Sequence, residues 1–451
     1  MYPLTKGSIG CITAISIVLL SACTGGAPAG NPTAENPSAK EEAKNIQDAK
    51  LEQAELLILS KVASITQEEF ERTIAEPIRA KFPHYKLKYI IEGKETSLQS
   101  MMVSGQAPDI TITSLAGMQS SLIPLGLEYD LTGLIKKYNY DMSRIEPSTM
   151  ESLKNATSTS AIYGLPKYLN TVVLFYNKDI FKRFGIAFPK DGMTWEEVTR
   201  LAASLTRYED GTQYRGMSLF YSNMILENQL SLPLIHPTEE KSSVNVPAFQ
   251  KLLMTYKAIY DIPGNKPEGD ITPDKELTAF HKQRNVAMVA SPMSGYGRFE
   301  SDPDLDWDMV AAPTFPDAQG VGYQPNTIYY FISNVNKKAE QAFQVVTELL
   351  SDEVQLQANK EGRPTILMDE KIRSSLGSGH KLFKDKNFKA VFYNKFAPMP
   401  QANAKMAPLV NASSILQGEF AAMISKGTDV NTALRLADDK INQAIQTAKN
   451  K

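Results

Sequence analysis

Cysteine is nearly absent from this 451-residue chain, which has Cys11 and Cys23 alone, and its four histidines, His84, His236, His281 and His380, lie far apart. These are too few soft ligands for a zinc or iron–sulfur centre and too few thiols for a disulfide framework, so no metal and no cofactor is expected. Charge of one sign is also lacking. The 48 Lys plus Arg face 50 Asp plus Glu, which leaves no basic field to hold a polyanion and argues against nucleic acid as a partner. No repeat of solenoid length is present. Catalytic signatures are missing too: there is no Gly-x-Ser-x-Gly elbow, no His-Glu-x-x-His and no phosphate-cradling loop. The paired acids Glu68-Glu69, Glu196-Glu197 and Asp438-Asp439 are neighbours on expected helices. They point different ways, cannot flank one glycosidic bond, and read as caps and solvated faces.

What is present begins with an address. Lys6 precedes the mostly apolar run from Ile9 to Leu20, shorter than the roughly 18 residues that span a bilayer, and small residues follow, as in an export signal. The run ends in Leu20-Ser21-Ala22-Cys23, which resembles the bacterial lipobox. That resemblance implies a signal peptide over 1–22, removed together with Cys11, and acylation of Cys23 as a membrane anchor. A plain signal followed by a chance cysteine is the competing reading. Residues 24–50 are mainly Gly, Pro, Ala, Asn and charged residues, with little apolar surface to offset chain entropy. Residues 23–54 are therefore expected to form the lipidated Cys and a flexible tether, with an r.m.s. reach of about 30 Å if it behaves as a coil.

The body alternates strand and helix signals. AELLILSKVA at 54–63 has strand length, and Thr66 with Glu69 forms a capping-box pattern for a helix ending near Lys81-Phe82-Pro83. YKLKYIIEG at 85–93 reads as the next strand, SLQSMMVSG as a helix closed by Gly105, and Asp109 to Ile112 as another strand, giving an α/β sheet with crossover helices. Thr171 to Tyr176 is β-rich, and Thr194 with Glu197 opens a helix through Leu205. The same grammar returns at YYFISN and the long helical stretch that follows. Residues 413–449 read as two helices separated by Gly427.

Four stretches, in order, resemble the extracellular solute-binding proteins, family 1, of ABC importers, the group with maltose-type binding proteins. They are SGQAPDI at 104–110; GLPKYLNTVVLFYNKDIFKRFGI at 164–186 followed by TWEEV at 194–198; AFHKQRNVAMVASPMSGYG at 279–297; and WDMVAAPTFP at 307–316, with Glu361-Gly362-Arg363-Pro364 and Gly427 to Leu434 beyond it. The third departs from many sugar-binding members, which place an aromatic directly after the turn; here Tyr296 comes later. The resemblance implies an α/β, two-lobed periplasmic-binding-protein-like clamshell of type II, each lobe a mixed sheet flanked by helices, joined by a three-segment hinge. Carried over by position, the first lobe is 55–165 plus 313–351 and the second 166–312 plus 352–451, with crossings near 165–167, 311–313 and 350–352.

The function implied is a lipid-anchored, monomeric receptor on the outer face of the bacterial cytoplasmic membrane. It captures a small solute, with a carbohydrate favoured, and presents it to ABC permease subunits; it is not an enzyme. Candidate ligand contacts are Thr113 and Ser114 at a strand end; Asn170 in the first hinge strand; Tyr168, Tyr221, Tyr296 and Tyr323 as stacking faces; and Arg363 as a forked donor. Loop capping, core packing and a surface charge are the competing readings. Asp109 is assigned a turn role, and Trp195 and Trp307 are assigned to the core. Alternatives in function are an exported glycoside hydrolase or a clamshell binder of a non-sugar solute. A ferric site on Tyr329-Tyr330 is disfavoured, because adjacent strand residues face opposite sides.

Overall fold

The computed structural model describes residues 53–450 except 336 and 384. Cys23, the signal and the tether up to residue 52 lie outside the described residues. Ten strands follow in chain order: β1 (Ala54–Ser60), β2 (Tyr85–Ile91), β3 (Ile110–Ser114), β4 (Gly164–Tyr168), β5 (Val172–Asn177), β6 (Arg207–Glu209), β7 (Thr212–Leu219), β8 (Val286–Pro292), β9 (Trp307–Ala311) and β10 (Ile328–Ile332). They form two five-stranded sheets, β2-β1-β3-β10-β4 and β6-β7-β8-β5-β9. Both are mixed: β1 runs parallel to β2 and β3, β10 antiparallel to β3 and β4, and β8 is parallel to β7 but antiparallel to β5.

The first sheet is built as the sequence pattern dictates. Asp109 serves its turn role by accepting the Leu57 N–H at 2.7 Å, which aligns the start of β3 beside β1. Between β1 and β2 the chain is helical over 67–81, with a π turn at Glu71–Ala75. Thr66 caps it by accepting the Glu69 N–H. Glu69 does not close the box. Its carboxylate pairs with Arg72 and Arg363 instead, so the reading of this acid as a solvated face is corrected: two guanidinium groups offer it more than one amide does. The box at Thr194 and Glu197 is complete.

β5 is buried along its whole length. Val172, Leu174 and Tyr176 join one core, and Val173 and Phe175 another, so the period-2 alternation of a strand feeds a layer on each face of the second sheet. One layer takes in the helices Ala412–Lys426 and Val430–Lys449, separated at Gly427. The other includes Phe299, Trp307 and Phe383. The first sheet has its own core of Leu56, Ile58, Ile112, Tyr329 and Phe331. Two separately cored lobes result.

Sheets and cores move the chain crossings later than the sequence reading put them. β4 still pairs with β10, so the first crossing falls after Tyr168, at 169–171, not at 165–167. Phe315 and Tyr323 belong to the second lobe's core, which delays the return until the approach to β10. The long helical stretch breaks where Ser351 caps Asp352–Lys360. That helix stays with the first lobe through Val354 and Leu356, as do Ile366, Leu367 and Ile372, whereas Leu376 enters the second. The third crossing therefore lies between Ile372 and Leu376. The position-based boundaries missed this because a helix cap breaks a helix without changing the core it packs on.

Trp195 is 1% exposed, lies edge-on to Tyr256, and donates its indole N–H to Gln229 Oε1 at 2.9 Å. Trp195→Ala is expected to cost about 3–5 kcal/mol through the cavity and the orphaned amide. Urea unfolding checks this, and a loss below about 1 kcal/mol would remove Trp195 from the core.

Candidate functional site

Open α/β sheets present ligand-binding loops at the carboxyl ends of their strands. Here the end of β3 borders a cavity of about 570 Å³ between the lobes, within the range of small-molecule sites. The first lobe contributes Ser114 to Gly117, Gln119 and Ser120; the second contributes Leu226, Glu227 and Leu232 to Ile235, reached through the short helix that follows β7; and the segment leading back into β10 supplies Gln324 to Thr327. Ser114 Oγ accepts the Gly117 N–H at 3.2 Å and turns the chain from strand to helix. Residue 117 must be glycine, because a Cβ there would stand 2.0 Å from Thr113 Oγ1.

Residues 399–403 and 407–413 also line the cavity, and this segment is tied to both lobes. Asn155 donates to the Met399 carbonyl at 2.6 Å and its own carbonyl accepts the Ala402 N–H at 3.0 Å, while Asn403 donates to His236 O at 2.8 Å. The walls thus combine apolar side chains with amides and hydroxyls. Among the described residues that line the cavity, none is aromatic and Glu227 alone is ionisable. Elsewhere among the described residues, no group of three His, Cys, Asp or Glu could hold a metal ion.

Glu227 is 5% exposed. The short helix Tyr221–Leu226 places it one turn beyond Asn223, whose carbonyl accepts the Glu227 N–H at 2.7 Å and whose Nδ2 meets the carboxyl oxygens at 3.2 and 3.3 Å. The Gln324 N–H donates to the Glu227 carbonyl at 3.1 Å, linking it to the returning strand. Burial pushes the Glu227 carboxyl up to about 8, against a small opposing pull from the Asn223 amide. At neutral pH it is largely protonated, able to donate one hydrogen bond and accept others.

The candidate contacts separate into three groups. Ser114 lines the cavity. Thr113 does not: it is 3% exposed and lies under Gly117, so the expectation of a ligand contact there is corrected. Tyr221 and Tyr323 are also corrected. Tyr221 is 4% exposed and donates to Ile271 O at 3.2 Å; Tyr323 is fully buried with its hydroxyl 3.0 Å from that of Tyr256. A ring enclosed in a core has no face to offer a ligand.

Asn170 is spent on structure at the first crossing: its Nδ2 donates to Ser294 Oγ and its Oδ1 accepts the Ser294 N–H, both at 3.1 Å. Tyr168, Tyr296 and Arg363 gather at a second junction between the lobes and do not line the cavity. Tyr296 donates to Gly362 O at 3.1 Å and lies edge-on to Phe383, with burial pushing its phenol up to about 12. Burial also raises the Tyr168 phenol. Arg363 bridges Glu69 and Glu361, each at 2.7 Å.

Glu227 and Gln324 escaped the sequence reading. The available signal was a lone acid in the apolar and amide run MILENQLSLPL.

The raised Glu227 carboxyl makes stability depend on pH. Unfolded, the group ionises near 4.5; folded, it holds its proton to about 8. The folded state therefore binds more protons between these values, and the group's contribution, full below 4.5, declines as pH rises and is lost above 8. In urea unfolding from about pH 5 to about pH 9, Glu227→Gln should gain stability relative to the parent as pH rises. Parallel pH curves would mean that Glu227 ionises as an ordinary carboxylate.

The family model for bacterial extracellular solute-binding proteins matches residues 66–356. An arabinooligosaccharide-binding protein of Bacillus subtilis is 24% identical over 267 residues, 54% of this chain and 57% of that protein; the match thus spans little more than half of the relative's length. Among solved structures, an ABC substrate-binding protein from Listeria monocytogenes in complex with cycloalternan superposes with a TM-score of 0.68 at 18% identity, over 88% of this chain and 100% of that one. The sugar-binding protein MalE from Xanthomonas citri gives 0.69 at 14% identity, over 88% and 98%. At such identities the structures establish the two-lobed fold, and the family match extends over well more than half of the chain. The chain belongs to the bacterial extracellular solute-binding protein family.

Proposed function

We propose that this protein is the substrate-binding subunit of an ABC importer, capturing a carbohydrate between its lobes and presenting it to the permease. The observation that carries this reading is the cavity lined by segments of both lobes and carrying amides, hydroxyls and one carboxyl that burial keeps protonated. Such groups match sugar hydroxyls, which donate and accept at once. The relatives add support: one is named for arabinooligosaccharides and a structural neighbour was solved with cycloalternan. With no aromatic ring among the described residues of the lining, recognition rests on hydrogen bonds and apolar contact with the ring edges rather than on stacking.

Binding that touches both lobes selects the closed arrangement, since a ligand shifts an equilibrium only by its differential affinity for the two states. The lipobox-like Leu20-Ser21-Ala22-Cys23 supports acylation of Cys23 as the anchor. Among the described residues no helix is long and apolar enough to cross a membrane, so they supply no other helical anchor.

A thermal-shift screen of mono- and oligosaccharides tests capture: a ligand that binds only the folded state adds about 2.7 kcal/mol at a hundredfold excess over its Kd. A silent sugar library, with shifts from peptides or polyols, would reassign the solute. Small-angle scattering with a hit at saturation should show a smaller radius of gyration. Cys23→Ala should move the protein from the membrane fraction to the soluble fraction without changing its melting curve; retention after a carbonate wash would count against acylation.

A further inference from the structure

We propose that Glu227 makes this cavity selective for a cationic carbohydrate, one whose ring carries a protonated amine. The inference rests on the reading of the cavity as a sugar site and deepens it by naming the class of sugar. Three observations carry it. First, Glu227 is the one ionisable residue among the described residues of the lining. Second, it is buried with no counter-charge. Its side-chain hydrogen bonds go to the Asn223 amide, and no charged residue is among the causes of its shifted ionisation. On the elements around it, Lys405, between the two lining stretches 399–403 and 407–413, is turned to Glu240, and the segment Gln324 to Thr327 carries no charge.

Third, the other buried acids among the described residues face a cation. Glu276, 1% exposed, meets Arg215 at 2.7 Å, Glu419, 8% exposed, is bonded to Lys440, and Asp109, 7% exposed, lies 3.8 Å from Lys338. Burying a carboxyl without a cation is unfavourable unless it stays neutral or a cation is supplied. In a cavity open to a ligand, the cation can come with the ligand.

The physical consequence is an exchange of charge. A ligand ammonium entering beside Glu227 favours the carboxylate, so the carboxyl proton leaves to solvent while the amine keeps its own. The buried charge is then compensated as it is at Glu276. A neutral sugar of the same shape leaves Glu227 protonated, acting as a hydroxyl donor, and releases no proton. An N-acetyl group removes the charge and places an acetyl group where the ammonium would lie.

The test is titration calorimetry of the full soluble chain near pH 6 in two buffers of different ionisation enthalpy. The probes are glucosamine oligosaccharides, their N-acetylated counterparts, neutral arabino- and malto-oligosaccharides, and 1,6-diaminohexane. The amino sugars should bind about tenfold or more tightly than their N-acetylated counterparts, with close to one proton released per site. Glu227→Gln, checked by its melting curve, should lose both the preference and the proton release. If that variant does not fold, the proton count on the parent protein still decides the matter.

Equal or tighter binding of neutral sugars without proton release overturns this inference and leaves the carbohydrate reading standing. Binding of the diamine as tight as that of the amino sugars overturns the carbohydrate part and keeps the cation. Silence from every sugar overturns both. Retention of the amine preference by Glu227→Gln removes Glu227 as its source.

Discussion

The hydrogen bonds of Asn170 hold together two of the three places where the chain changes lobe. Its main-chain carbonyl accepts the Asn326 N–H of the segment returning to β10 at 2.8 Å, while its side-chain amide exchanges two bonds with Ser294 from the 3-10 helix after β8. On either side, Leu169 donates to Pro364 O and Thr171 O accepts from Met293, each at 2.8 Å. Separate stretches of sequence are thus pinned within three residues. Each bond is worth only about 0.5–1.5 kcal/mol net, but together they fix how the segments of the two lobes face one another. The cavity follows from that arrangement, because Asn326 is both a partner of Asn170 and part of the lining.

The two places where the lobes approach one another differ electrostatically. At the second junction, where Tyr296 of the second lobe reaches the Gly362 carbonyl, the first lobe's own charges are dense and mutually satisfied: Arg363 lies between Glu69 and Glu361, and Arg72 bonds to both acids. Beside it the ammonium of Lys167, 7% exposed, lies over the rings of Tyr168 and Tyr330 at 5.2 and 5.7 Å, and desolvation, with Arg363 adding repulsion, brings it down to about 8. Across the cavity the rule reverses, and Glu227 remains without a counter-charge. A saturated ionic cluster suits a structural contact, whereas an uncompensated group suits a place that something else completes.

This contrast explains why the tyrosines and Arg363 misled the sequence reading while Glu227 was passed over. Tyr and Arg are what a sugar site would use, but a side chain's availability depends on what reaches it first. Phe383 and the Gly362 carbonyl take Tyr296, Glu69 takes Arg363, and the core takes Tyr221 and Tyr323. Glu227 looked like one more acid among 50 Asp and Glu; its meaning comes from the desolvation imposed by its surroundings.

The sequence by itself determined what is local. Thr66 and Thr194 cap helices because their hydroxyls reach the amide three residues on. The β-rich run at 171–176 is a strand, Gly427 separates two helices, and the scarcity of cysteine and histidine and the balance of charge argue against metal centres and polyanions as readings. Tertiary structure alone decided which core each element joins, and hence that the helix Asp352–Lys360 stays with the first lobe. It also decided which polar groups remain unspent. Helix caps and strand periodicity act over a few residues, whereas burial and ion pairing depend on partners up to 294 positions away, as between Arg363 and Glu69. No local pattern records such distances.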